Sequence, residues 1–141
     1  MTIPLWVLLG FAAWTLIVLI ATIGVYRWSA VLTGRTRISV WRADEPQGAE
    51  WYRRAMRAHL NCVENLPVYG AVVTCATAAG AKGDALDAFA VTFMAARVCQ
   101  TLVHIAFPPT DFAASARFAF FLVQTFCVVA MGISVALLAV G

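Results

Sequence analysis

Between Ile3 and Tyr26 the chain carries no charged residue. A helix of that length crosses the roughly 30 Å hydrocarbon core of a bilayer. Inside lipid every backbone polar group must be satisfied internally, which leaves helices and closed barrels as the spanning forms. Over 141 residues the chain is 62% hydrophobic and only 12% charged, too little polar surface for a soluble domain. The sequence therefore predicts an all-α integral membrane protein with a single domain over 1–141, and no nucleic-acid partner. The first run lacks a basic leader and a small-x-small cleavage site, so it reads as an anchor rather than a signal peptide.

Punctuation divides the rest. Arg27–Glu50 is a polar connection containing Arg35, Arg37 and Arg42, with Glu45-Pro46-Gln47-Gly48 as a breaker. A second helix is expected from near Ala49 to about Ala79, kinked at Pro67. Gly80-Ala81-Lys82-Gly83-Asp84 reads as a tight turn, with Asp84 as N-cap of a third helix running to Phe107. Pro108-Pro109-Thr110-Asp111 ends that helix, and a fourth is expected from about Ala114 to Val140. Short connections make this a four-transmembrane-helix antiparallel bundle. Seven of the ten basic residues lie between Arg27 and Arg57, which places the first connection in the cytoplasm and both termini outside.

Polar residues inside the apolar segments are the functional signal, because an ionised side chain near the bilayer centre costs roughly 2.5–3.5 kcal/mol. Arg57, Asn61 and Glu64 are four and three residues apart and share one helical face. Arg97 and His104 share a face of the third helix, flanked by Gln100 and Thr101, and Arg117 and Gln124 share a face of the fourth. Glu64 is the one obvious negative partner, so the surplus positive charge asks for an anion, for which arginine offers a planar fork. Arg53 and Arg54 read as headgroup anchors. Glu64 admits two roles, pairing with an arginine of a neighbouring helix or touching the ligand. Arg97 and His104 can equally serve as glue between helices, and Arg117 as an interfacial arginine. Phe112, Phe118, Phe120 and Phe121 read as packing or interface belt. The four cysteines, Cys62, Cys75, Cys99 and Cys127, lack CxxC spacing and read as buried thiols, with no disulfide framework and no metal site expected.

The stretch Glu50–Pro67, with its pattern Arg57-x-x-x-Asn61-x-x-Glu64 followed by Pro67, resembles the signature of the MAPEG family, the membrane-associated proteins in eicosanoid and glutathione metabolism, which has many bacterial members. Helix number and the positions of Arg97 and Arg117 fit the same pattern over essentially the whole chain. The resemblance implies a homotrimer in a bacterial inner membrane, with glutathione as co-substrate bound between subunits near the cytoplasmic face. It implies that Arg57, Asn61, Glu64, Arg97 and His104 bind glutathione and that Arg117 stabilises its thiolate catalytically. Two departures stand out. His104 falls where relatives often carry tyrosine, and Phe118 and Phe121 replace hydroxyls of the prostaglandin-type isomerases. Isomerase chemistry is thereby disfavoured, while thiol transfer to lipophilic electrophiles and reduction of hydroperoxides stay open. The alternative within the family is a non-catalytic scaffold that binds lipid or glutathione. A small transporter has little support, since no internal repeat and no broken helix pair is present.

Overall fold

A computed structural model describes residues 1–41 and 48–140. Four long helices carry the fold: α1, Ile3–Leu32; α2, Glu50–Ala78; α3, Asp84–Ala106; and α4, Asp111–Val140. Helices α1, α3 and α4 are long and apolar enough to cross a membrane. At 29 residues α2 is about 43 Å long, ample for a span. Its first half is more polar than the other three helices because it holds Arg53, Arg54, Arg57, Asn61 and Glu64.

The first helix outlasts its expected end at Tyr26. Its stop is set by Gly34 at φ +69°, not by the arrival of charge. The Gly34 amide donates to the Val31 carbonyl and the Arg35 amide to the Ala30 carbonyl, which closes a Schellman turn. Gly80 (φ +65°) ends α2 the same way, with Gly80 donating to Thr77 and Ala81 to Ala76. Asp84 is not an N-cap. It lies in the first turn of α3, where its charge suits the helix dipole, and Gly83 precedes the helix. Helix α4 starts at Asp111, ahead of Ala114, because the Thr110 hydroxyl accepts the Ala113 amide as a true N-cap. Within α1, residues Leu19–Gly24 form a widened π turn. A short 3₁₀ turn, Ile38–Val40, follows α1. Helix α2 runs through Pro67 without interruption. Arg42 and the breaker Glu45-Pro46-Gln47 lie outside the described residues.

Two clusters hold the bundle. The larger centres on Phe11, Tyr69 and Phe93, contributed by α1, α2 and α3. Tyr69 stacks on Phe93 at 4.3 Å between ring centroids, and Phe11 meets Phe93 edge-on at 5.4 Å. The smaller cluster lies at the basic end, where Tyr26 stacks on Tyr52 at 4.3 Å and Trp41 packs edge-on against both rings. Arg27 spans this cluster. Its Nε donates to Tyr52 Oη at 2.7 Å, and its guanidinium lies over the Trp41 and Tyr52 rings. Cys62 and Cys127 are buried, whereas Cys75 and Cys99 are exposed on outer faces of the bundle, contrary to expectation.

Candidate functional site

Helix α2 delivers Arg57 to the basic end of the bundle because the turn before it is anchored there. Arg54 Nε donates to the carbonyl of Ile105 at 3.1 Å, in the last turn of α3, where a cation also suits the helix dipole. Arg53 pairs with Glu50 on the exposed side. The up-down order then brings the end of α3 and the start of α4 to the same place. Arg57, His104 and Arg117 thus line one cavity of about 250 Å³, together with Glu50, Arg53, Arg54 and Pro109. Four arginines and a histidine there face a single carboxylate, which Arg53 already occupies. The cavity fits an anion.

A buried chain of polar groups lies one to two turns deeper. Arg97 is 1% exposed and sits against Phe11 and Phe93, its guanidinium carbon 5.4 and 5.9 Å from the two ring centroids. Arg97 Nη1 donates to the side-chain oxygen of Asn61 and, at 3.0 Å, to Gln100 Oε1. Gln100 Nε2 donates to the backbone carbonyl of Arg117 at 2.8 Å. Gln124 Nε2 donates to Gln100 Oε1 at 3.2 Å and to the Phe120 carbonyl. Thr101 accepts from Trp14 Nε1 and lies 3.6 Å from Cys62 Sγ. All four helices are joined through these side chains.

The predicted residues therefore fall into three groups. Arg57, His104 and Arg117 share the basic cavity. Asn61 and Arg97 meet each other in the chain beneath it. Glu64 is not buried within a single chain. It is exposed on the outer face of α2 and makes no ion pair among the described residues. Phe118 and Phe121 also face outward, 61% and 39% exposed, and stack on each other.

A family model described as the MAPEG family matches residues 4–137, nearly the whole chain. The chain belongs to the MAPEG family. No curated protein and no solved structure matches it. As a MAPEG member with three long apolar helices, it is a multi-pass helical membrane protein of a family associated with eicosanoid and glutathione metabolism. The MAPEG family includes glutathione transferases and peroxidases and generally uses glutathione.

Sequence reasoning misses Arg27, takes Gln100 as a flanker of the Arg97 face and places Gln124 on one face with Arg117. Arg27 was hidden because it falls just beyond the apolar run, where charge reads as connection. The two glutamines were visible as buried-polar signals in apolar helices, but their connection crosses from α3 to α4 and no spacing within one helix reveals it.

Proposed function

We propose that this MAPEG protein is a glutathione-dependent membrane transferase or peroxidase that acts on lipophilic electrophiles or hydroperoxides. The observation that supports this most is the cavity shared by Arg57, His104 and Arg117, where arginines from two helices and a histidine from a third gather without matching carboxylates. Glutathione carries two carboxylates, and its thiol becomes a third anion on ionisation. Its single ammonium matches the outward Glu64. Arg117 stabilises the thiolate, while Arg57, Asn61, Glu64, Arg97 and His104 bind or orient the tripeptide. A free thiol with a pKa near 8.5 is mostly protonated at neutral pH, and each unit of depression corresponds to about 1.4 kcal/mol.

The thiolate attacks an electrophilic carbon, a carbon–sulfur bond forms, and the leaving group departs with its electron pair. The thiol proton passes to water at the basic end. With a hydroperoxide, the thiolate takes one peroxide oxygen and the alkoxide leaves and is protonated. A second glutathione then converts the sulfenic acid to a disulfide and water.

The site is completed by neighbouring copies. One chain offers about 250 Å³, below the roughly 300–1,000 Å³ of ligand pockets. On α2, Arg57, Asn61, Glu64, Val68, Ala71, Cys75 and Ala78 recur at alternating spacings of four and three, and all but the half-buried Asn61 are exposed in the single chain. That is the period of a helix–helix seam. Arg57 and Glu64 cannot face lipid at low cost. A homotrimer closed around α2, with its basic end towards the cytoplasm, buries the stripe.

To test the function, glutathione is titrated into purified protein while thiolate absorbance is followed, and conjugation of an aryl halide is measured. The parent should form thiolate and turn over. Arg117→Ala should lose most of both while still binding glutathione. An Arg117→Ala variant equal to the parent would remove Arg117 from the mechanism. Glutathione binding without conjugation or peroxide reduction would favour the scaffold.

A further inference from the structure

Arg97 poses a physical problem. Its guanidinium is all but sealed from the surface, between two aromatic rings, and no carboxylate pairs with it among the described residues. Its Nε and Nη2 have no hydrogen-bond partner there either. A buried cation so poorly compensated is not a stabilising device, since apolar residues of similar volume usually serve stability as well or better. What Arg97 does have is one well-used nitrogen, Nη1, which reaches Asn61 and Gln100.

That contact fixes the chemistry of Asn61. Guanidinium groups only donate, so the Asn61 atom facing Arg97 is the carbonyl oxygen. The same oxygen accepts from Asn65 Nδ2 at 3.1 Å. Two donors thus hold Oδ1 inward, and the amide NH₂ is left on the other side. Asn61 is half-buried, and its Nδ2 has no partner among the described residues and is not among the enclosed orphan atoms. It lies on the helix face between Arg57 and Glu64. We propose that Arg97 is a positioning residue that pins the Asn61 carboxamide by its oxygen, so that Asn61 presents only donors to a carboxylate or carbonyl of the thiol substrate. Arg97 then acts on the ligand through Asn61 and never touches it. The inference rests on the glutathione-dependent function proposed above.

Removing Arg97 need not unfold the bundle. In Arg97→Met, Asn61 Oδ1 keeps its bond from Asn65 and Gln100 Oε1 keeps its bond from Gln124, so neither acceptor is stranded. Asn61→Asp is the sharper probe. It keeps an oxygen for Arg97 and deletes the outward donor.

Parent, Asn61→Asp, Asn61→Ala, Arg97→Met, Arg97→Lys and the Asn61→Ala/Arg97→Met double variant are purified in detergent. Each is measured for thermal melting, equilibrium glutathione binding, and KM and kcat with an aryl halide. Asn61→Asp should melt at or above the parent and raise the glutathione KM about tenfold or more, with kcat within about twofold. Arg97→Met should raise KM by a similar factor, and Arg97→Lys, which retains a cationic donor, should recover most of it. The double variant should be no worse than Asn61→Ala alone, because both changes remove the same donor. Glutathione binding by Asn61→Asp within twofold of the parent overturns the inference and leaves the proposed function standing. So does an Arg97→Met variant that loses melting temperature and kcat at constant KM. A parent that binds no glutathione overturns both. If Arg97→Met does not fold, Asn61→Asp decides alone.

Discussion

Replacing Gln100 by leucine should separate the helices' polar connection from their apolar packing. The side chain is 3% exposed, and leucine is close to it in volume. Three hydrogen bonds are lost: to the Arg117 carbonyl at 2.8 Å, from Arg97 at 3.0 Å and from Gln124 at 3.2 Å. Two are between neutral groups, worth about 1 kcal/mol each, and the one from a charged donor is worth roughly 1.5–3 kcal/mol. The gross loss is thus about 4 kcal/mol. No partner is left bare, however. Arg97 keeps Asn61, Gln124 keeps the Phe120 carbonyl, and the Arg117 carbonyl keeps its place in the α4 ladder. The cost should settle at about 2 kcal/mol, or a fall of about 4–8 °C in Tm for a chain of this size. Thermal melting in detergent by circular dichroism measures it. The glutathione KM should rise as well, because the Arg117 end of α4 is no longer tied to α3. A Gln100→Leu protein that melts within 1 °C of the parent would refute the view that this chain of polar groups couples α3 to α4.

Tyr52→Phe should remove the acceptor of Arg27 Nε but keep the stack on Tyr26, costing about 1–2 kcal/mol. Limited proteolysis should then cut the connection after α1 faster, with thermal melting as the second readout. Gly48→Ala should be worse than its size suggests. Gly48 sits at φ +126°, and an added Cβ would lie 2.8 Å from the Tyr26 hydroxyl, so a loss of at least about 1 kcal/mol is expected, measured by melting. Phe93→Ala should cost roughly 3–5 kcal/mol by opening a void beneath Tyr69, Phe11 and Arg97, read as a lower Tm in the same detergent.

Much of the fold was legible because apolar length and turn residues act locally. The runs of α1, α3 and α4, the Gly80 turn and the Pro108-Pro109 break all carry their meaning in adjacent residues. Two errors show where that locality misleads. Tyr26 was read as a helix end because charge begins at Arg27, but charge marks where lipid stops, whereas Gly34 marks where the helix stops. Thr110 was passed over as a cap because two prolines and an aspartate surround it. In the candidate site, the register of Arg57, Asn61 and Glu64 put three residues on one face. It did not show that Asn61 turns inward to Arg97 while its neighbours stay outside. That difference depends on Phe11 and Phe93, which come from other helices and enclose Arg97.

The widened turn at Leu19–Gly24 has a consequence for how this chain tolerates change in length. In a regular helix each residue advances the next by about 100°, so the two ends of α1 keep a fixed angular relation. The π turn breaks that timing once, between Phe11 and Tyr26. Deleting one residue from Leu19–Gly24 would let the segment wind as regular α-helix and leave the angular relation of its two flanks nearly unchanged. Phe11 would stay against Phe93, and Tyr26 and Arg27 would stay against Tyr52. The same deletion in the regular turns just before it would rotate everything downstream by about 100° and swing Tyr26 and Arg27 away from Tyr52. At that one place the helix can lose a residue and keep its aim.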